Sequence, residues 1–198
     1  PAAEKPMTLP MKLIATPNNP APDGAEIHTI KGFKGTSLRV CLTPAKGPPR
    51  GTVILFEGYT EFLEKYFETI SDLQARGFNT IIMDWRSQGL SARKLKNPYI
   101  FYFQNFDEPV RDLIIALDQF KERLPRPWVT LAHSMGGAIA LRAVLIERIR
   151  PEAALFCAPM WGIAAATLPN RIAARVMRFI GLGQLPVSIR PKDPREEV

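Results

Sequence analysis

The stretch Trp128-Val-Thr-Leu-Ala-His-Ser-Met-Gly-Gly137 decides the fold of this chain. A short apolar run favourable to β-structure ends at Ala132, and an apolar helical pattern follows Ser134 and continues to about Arg150. We therefore predict a strand, a sharp turn with Ser134 at its apex, and a helix. The small residues beside the serine fit such a turn, because a branched side chain there would collide with the neighbouring backbone. The helix would direct its free N–H groups toward the space beside the serine.

Buried strands and amphipathic helices alternate on both sides of this turn. Continuous apolar runs predict strands, and apolar residues at helical spacing predict helices. The predicted strands are residues 26–30, 37–42, 52–56, 80–83, 128–132 and 153–157, and the predicted helices are 62–73, 107–120, 135–150 and 164–182. The first two strands flank Gly32-Phe-Lys-Gly35, which predicts a hairpin. The pattern predicts the α/β class: a three-layer α/β/α sandwich with a mostly parallel sheet and an N-terminal antiparallel hairpin.

Composition sets the domain organisation. The 198 residues, 46% of them hydrophobic, suffice for one domain with a substantial core. We expect an extended arm over residues 1–24, a core over residues 25–163, and the start of a cap with a polar tail over residues 164–198. Cys41 and Cys157 lie in separate predicted strands, so we expect two buried free thiols and a reducing compartment.

The net charge and the sequence motifs indicate which classes of binding partner the chain can have. The net charge of +7 favours anionic surfaces. The basic amphipathic helix predicted over residues 164–182 is compatible with a membrane surface, a lid or an ordinary solvated face. Nucleic-acid binding would rest on charge alone, so we expect no nucleic-acid partner. No zinc-binding spacing and no glycine-rich nucleotide motif follows any strand, so we expect neither a metal nor another cofactor.

Three loops at the carboxyl ends of predicted strands carry a family resemblance. They are Glu57-Gly-Tyr-Thr-Glu61, Asp84-Trp-Arg-Ser-Gln-Gly-Leu-Ser91 and His133-Ser-Met-Gly136. Together they resemble the α/β-hydrolase superfamily, in the branch of lysophospholipases and monoacylglycerol lipases, which is the serine aminopeptidase group. The turn Ala132-x-Ser134-x-Gly136 is similar to the nucleophile elbow of that superfamily. The chain is thus expected to have an incomplete α/β-hydrolase fold.

The resemblance implies an activity and a small-molecule partner. Ser134 would be the nucleophile, and the backbone N–H groups of Tyr59 and Met135 would form the oxyanion hole. The expected reaction is hydrolysis of a lysophospholipid or monoacylglycerol ester through an acyl-serine, without a cofactor. We expect a cytoplasmic location, with peripheral contact at the inner face of an anionic membrane as an open alternative.

The first loop departs from the family pattern at one position. The family reads His-Gly-x-x-Glu followed by Tyr; Gly58, Glu61 and Tyr66 match, and Glu57 replaces the histidine. Unless it turns away, Glu57 would place a carboxylate beside a hole meant for an anion. Glu61 would brace the loop, as in the family, or would be a plain acidic residue at a helix N-terminus.

The second loop follows the family pattern Asp-x-Arg-Gly-x-Gly-x-Ser. Asp84, Arg86, Gly89 and Ser91 match, and Ser87 replaces the first glycine. We expect these residues to be structural, with an Asp84–Arg86 contact that holds the loop against the turn at Ser134.

No histidine base follows Ser134, and the later acidic residues Asp193, Glu196 and Glu197 form a polar tail and are poor candidates for the acid. The chain has two histidines, and both His28 and His133 precede the serine. We expect His133 to pack and form hydrogen bonds under the turn. The chain therefore resembles the N-terminal two-thirds of a hydrolase, truncated in the cap and inactive alone. The alternative is a non-catalytic α/β-hydrolase-like binding or scaffold module.

Overall fold

The computed structural model describes residues 12–97, 99–162 and 168–182. These residues fall into two compact units that divide between Met160 and Trp161. The first unit contains strands β1 to β6 and helices α1 to α3, and the second contains helix α4.

All six predicted strands are present. They are β1 Glu26–Lys31, β2 Ser37–Thr43, β3 Thr52–Phe56, β4 Asn79–Met83, β5 Trp128–His133 and β6 Ala153–Cys157. The helices are α1 Phe67–Ala75, α2 Asp107–Phe120, α3 Met135–Leu145 and α4 Leu168–Phe179. Short 3-10 turns span Phe33–Gly35, Leu63–Tyr66 and Lys121–Arg123. Helix α3 ends at Leu145 rather than near Arg150, because Glu147 adopts a positive φ of 55° that reverses the chain.

The sheet is mixed, as predicted. Its strand order is β1-β2-β4-β3-β5-β6. Strands β4, β3, β5 and β6 run parallel to one another, and the β1–β2 hairpin joins them through an antiparallel β2–β4 pair. The four parallel strands therefore end at one edge of the sheet, where the loops 57–61 and 84–91 and the turn at Ser134 begin.

Helices cover both faces of the sheet, which confirms the predicted three layers. Alternate residues of β3 belong to different cores: Ile54 and Phe56 pack with α2 and α3, while Val53 and Leu55 pack with α1. Burial on both faces explains why β3 reads as a continuous apolar run.

Strand β6 forms an edge of the sheet within the described residues. It pairs with β5 only, and the side chain of Leu155 is 53% exposed. Cys157 is exposed as well, so the prediction of two buried thiols is correct for Cys41 and wrong for Cys157. The reason is position: Cys41 lies on an inner strand under a helix, whereas Cys157 ends the edge strand.

The described part of the N-terminal arm is held by a buried ion pair. Arg39 donates to the carbonyl of Lys12 at 3.1 Å, and Glu64 accepts from the Ile14 amide at 3.2 Å. The Asn19 side chain donates to the Glu64 carbonyl at 2.8 Å. Residues 12–19 therefore lie against the 3-10 turn before α1, and residues 1–11 lie outside the described residues.

Helix α4 covers part of the predicted helix 164–182. Its Ile172, Val176 and Phe179 side chains are exposed, as is Arg175. Residues 164–167 and the side chains of Arg171 and Arg178 lie outside the described part. Among the helices that the structure describes, none has the length and apolar content needed to cross a membrane.

Candidate active site

Ser134 occupies a strained turn between β5 and α3. Its backbone angles are φ 50° and ψ −117°, a combination that ordinary side chains avoid. The turn is fixed at three points, since the Ser134 amide donates to the Cys157 carbonyl at 3.1 Å and its carbonyl accepts from Gly137 at 3.0 Å and Met160 at 2.9 Å. The turn places Ser134, a half-buried residue, at the carboxyl end of β5.

The turn packs against the end of β3. A Cβ added to Gly136 would lie 2.4 Å from the Phe56 carbonyl oxygen and 2.6 Å from that of Glu57. Since neither carbonyl can move without disturbing the sheet, only glycine fits there. The first turn of α3 is thereby brought against the loop 57–61.

Two backbone amides beside this contact lack a protein acceptor among the described residues. They are the N–H groups of Tyr59 and of Met135. Met135 begins α3, so its amide lies at the positive end of that helix. Unpaired amides of this kind suit an oxygen that carries negative charge.

Glu61 ties the loop 57–61 to its surroundings. Its carboxylate accepts from the Gly58 amide at 2.6 Å and the Tyr66 hydroxyl at 2.7 Å, and it lies 3.0 Å from His133 Nδ1. Lys65 adds an ion pair at 3.0 Å. Burial alone would raise the pKa of Glu61, but the hydrogen bonds from Tyr66, His133 and Gly58 outweigh it and lower the pKa to about 2. Glu61 is therefore ionised and fastens the loop to the residue before Ser134.

Glu57 turns away from the solvent and lies fully buried. Its Oε1 accepts from the Trp85 amide at 3.1 Å and from Gln88 Nε2 at 3.0 Å, and its Oε2 has no partner among the described residues. Burial, and then the nearby Asp84 charge, raise the pKa of Glu57 well above its ordinary value. The raised pKa favours a neutral carboxyl group, which would add no negative charge beside the free amides.

The predicted contact between Asp84 and Arg86 is not formed. Asp84 accepts from Arg39 Nε at 2.7 Å, and Arg86 binds Asp112 through two hydrogen bonds of 2.6 and 2.7 Å. The reason is the sheet register: the Asp84 amide donates to the Arg39 carbonyl, which places Arg39 directly opposite. Both residues still hold the loop 84–91, since Asp84 also accepts from the amides of Leu63 and Leu90.

Two buried side chains at this site were not predicted from the sequence. Arg39 links Asp84 to Glu64, and Gln88 reaches across to the loop 57–61. The only local signal was a polar residue inside an apolar strand or a tight loop. Ser87, which replaces a family glycine, adopts the positive φ of 68° that a glycine would favour.

Neither histidine is placed to serve Ser134. His133 faces Glu61, and His28 lies on β1, 3.4 Å from Glu26. Strand β1 is four strand positions from β5, which corresponds to about 19 Å at the usual spacing. Across the described ranges 12–97, 99–162 and 168–182, no three His, Cys, Asp or Glu side chains are grouped so that they could hold a metal ion.

A cleft of about 690 Å³ lies beside the loop 57–61. The N-terminal arm and the loops after β3 and β4 form its walls, and Ser134 is not among its lining residues. Apolar side chains supply much of the lining: Ile14, Phe62, Leu90, Tyr99 and Phe101. Its volume lies in the range of small-molecule sites.

Comparisons with known proteins identify the family and the fold of the chain. The model of the family described as serine aminopeptidase, S33, matches residues 47–193. Lysophospholipase L2 of Escherichia coli strain K12 is 35% identical over 130 residues, which cover 64% of this chain and 37% of that protein. A monoacylglycerol lipase of Mycolicibacterium smegmatis is 30% identical over 112 residues, which cover 57% of this chain and 39% of that protein. The chain thus spans well under half the length of these relatives.

Solved structures show the same fold. A thermostable carboxyl esterase from Bacillus coagulans, in complex with glycerol, superposes with a TM-score of 0.69 at 17% identity. The match covers 87% of this chain and 60% of the esterase. A lipase in an open form superposes with a TM-score of 0.67 at 20% identity, over 85% of this chain and 54% of the lipase.

Proposed function

The chain belongs to the serine aminopeptidase S33 family of α/β hydrolases, and from this premise we propose that it is part of a serine hydrolase that cleaves lipid esters. Ser134 Oγ would attack the ester carbonyl and form an acyl-serine, which water then hydrolyses. The N–H groups of Tyr59 and Met135 would donate to the oxygen that becomes charged. Gly58, Gly136, Glu61 and His133 would support these amides, and Asp84 and Arg86 would support the adjoining loop.

The strained turn at Ser134 is the observation that carries this proposal. A φ of 50° on a residue with a side chain costs about 1–3 kcal/mol, so the surrounding structure must enforce it. Three backbone hydrogen bonds do so, and the turn stands against a loop whose Tyr59 amide is free. A serine in an ordinary loop would need none of these features.

The base and acid of the reaction would come from residues beyond these 198. Attack by a serine hydroxyl needs a base to take its proton, and the same group later protonates the leaving alcohol. His133 is engaged with Glu61, and His28 is four strands away. We therefore propose that the 198-residue chain is inactive or very slow by itself.

The substrate class is proposed as monoacylglycerols or lysophospholipids. The apolar cleft beside the loop 57–61 would suit an acyl chain, and the net charge of +7 would favour an anionic head group or membrane surface. The relatives named lysophospholipase and monoacylglycerol lipase support the same class. The exposed apolar residues Ile172 and Val176 of α4 would favour peripheral contact with such a surface.

A fluorophosphonate probe tests the proposal, because it reacts with activated serines. We expect slow labelling of the chain that rises when imidazole is added as a substitute base, and loss of labelling in Ser134→Ala. Ser71→Ala, on α1, is the matched control and should be labelled like the wild type. Absence of labelling at Ser134 with imidazole present would contradict the proposal.

A second candidate is a non-catalytic α/β-hydrolase-like binding module. The replacement of the family histidine by the buried Glu57 favours it. This module would bind a lipid ester in calorimetry or fluorescence titration, and binding would be the same in Ser134→Ala. Labelling of Ser134 by the probe would exclude it.

A further inference from the structure

Gln88 is a buried side chain that spans the loop 57–61. It lies in the turn after β4 and is 3% exposed. Its Nε2 is within 3.0 Å of Glu57 Oε1, 3.0 Å of the Gly58 carbonyl and 3.3 Å of the Glu61 carbonyl, and its Oε1 accepts from the Thr60 amide at 2.7 Å. The one residue of the loop that it leaves unbonded is Tyr59.

We propose that Gln88 is a positioning residue that fixes the loop 57–61 so that the Tyr59 N–H stays free and correctly directed for an oxyanion. The inference rests on the proposed function, since it deepens the role of Tyr59 in that reaction. Gln88 would act through the loop and would not touch the substrate oxygen itself.

The chemistry of the position favours an amide. Gln88 must donate through Nε2 and accept through Oε1 at once, which neither a carboxylate nor a cationic side chain can do. The contacts of Gln88 with Gly58, Thr60 and Glu61 fix the backbone on both sides of Tyr59. The Tyr59 N–H then keeps its direction because the backbone on either side of it is fixed.

The backbone of Gln88 is itself held by two hydrogen bonds. Its amide donates to the Trp85 carbonyl at 2.9 Å, and its carbonyl accepts from the Ser91 amide at 3.1 Å. Glu57, at the start of the loop 57–61, also bonds to the loop after β4, because its Oε1 accepts from both Gln88 and the Trp85 amide. The loop after β4 therefore sets the position of the loop after β3.

Gln88→Met removes all four polar contacts of the side-chain amide at nearly constant volume and is the test variant. We expect the maximal rate of Ser134 modification by the fluorophosphonate, with imidazole present, to fall about 100-fold, as for a group misplaced by about 1 Å. The probe's apparent dissociation constant should change less than about 3-fold, because Gln88 holds an amide used mainly in the transition state. A loss of general stability would not separate these two constants in this way.

Gln74→Met is the matched control. Gln74 is also buried, at 2% exposure, and donates to two backbone carbonyls, those of Asp23 and Pro44, away from the site. We expect a similar loss of stability from this variant and an unchanged rate of Ser134 modification. If Gln88→Met fails to fold, Gln88→Glu keeps the acceptor for Thr60, loses the donors and should give the same fall in rate.

A second readout does not depend on reactivity. The chain has four tyrosines, so [15N]tyrosine labelling gives four amide signals, and Tyr59→Phe identifies that of Tyr59. The Tyr59 signal should shift or broaden in Gln88→Met and stay unchanged in Gln74→Met. An unmoved Tyr59 signal, or an unchanged modification rate, would overturn the role of Gln88. An unreactive wild type with a shifted Tyr59 signal would overturn the proposed function and leave the positioning of the loop supported.

Discussion

Arg39 and Asp84 form a buried ion pair that joins the β1–β2 hairpin to the parallel strands of the sheet. The Nε–Oδ2 distance is 2.7 Å, and the two side chains are 1% and 0% exposed. Arg39 also pairs with Glu64 at 2.7 Å, so a single guanidinium compensates two carboxylates. Because it also holds the Lys12 carbonyl, this arginine connects the N-terminal arm, the turn before α1 and the loop after β4.

Arg39→Met should be strongly destabilising. It leaves Asp84 and Glu64 buried without a countercharge, and loss of one partner of a buried pair costs about 3–5 kcal/mol. Urea unfolding followed by circular dichroism would measure the change. Arg123→Met is the matched control, since Arg123 pairs with Glu26 at the surface, where a pair is worth less than about 1 kcal/mol. Equal losses from the two variants would contradict the role assigned to Arg39.

The sequence predicts the features of this fold that depend on neighbouring residues. The apolar run Thr52–Phe56 is a strand because both of its faces are buried, and the small residues after Ser134 permit the tight turn. The partner of Asp84 could not be predicted in this way. Arg39 lies 45 residues earlier, and it faces Asp84 only because β2 pairs with β4 in one register.

The supporting shell of the site depends in the same way on long-range packing. Gln88 lies 28 to 31 residues from the bonded atoms of Thr60, Gly58 and Glu57. The local sequence shows a polar residue in a glycine-containing loop, which is compatible with simple exposure to solvent. Burial of Glu57 likewise depends on two strands, β3 and β4, that end side by side.

Glu57→Gln should alter the pH dependence of stability. The pKa of Glu57 is raised in the folded state, so folding keeps a proton that the unfolded chain releases above about pH 4.5. The wild type should therefore lose stability relative to Glu57→Gln as pH rises from about 4.5 toward the folded pKa, with a limiting slope of about 1.4 kcal/mol per pH unit. Urea unfolding between pH 4.5 and 8 would measure this difference. A stability difference between the two proteins that does not change with pH would contradict a buried neutral carboxyl at Glu57.

Glu61→Gln should change the pH dependence of stability in the opposite direction from Glu57→Gln. The pKa of Glu61 is lowered to about 2, so its hydrogen bonds to Gly58 and Tyr66 stabilise the fold fully above the ordinary value near 4.5. The wild type should be more stable than Glu61→Gln at pH 4.5 and above, and this difference in stability should disappear as pH falls from about 4.5 to 2. Thermal melts across that range would measure it, and an advantage that persists at pH 2 would show that the Glu61 charge is not its source. Lys65→Met, which removes only the exposed ion pair, should change the melting temperature little.

Ser134→Gly should be more stable than Ser134→Ala. The φ of 50° and ψ of −117° are easily adopted by glycine, whereas alanine keeps the strain, and we expect a difference of about 1 kcal/mol or more in the free energy of unfolding. The same pair of substitutions at Ser71, inside α1, should give the reverse order, because glycine in a helix costs about 1 kcal/mol relative to alanine. Urea unfolding of the four variants measures both differences. Both Ser134 variants lack the hydroxyl, so neither should react with the probe. Higher stability of Ser134→Gly than of Ser134→Ala, together with loss of labelling in both, would show that the strained residue is also the reactive one. A glycine variant no more stable than the alanine variant would mean that the turn at Ser134 is relaxed.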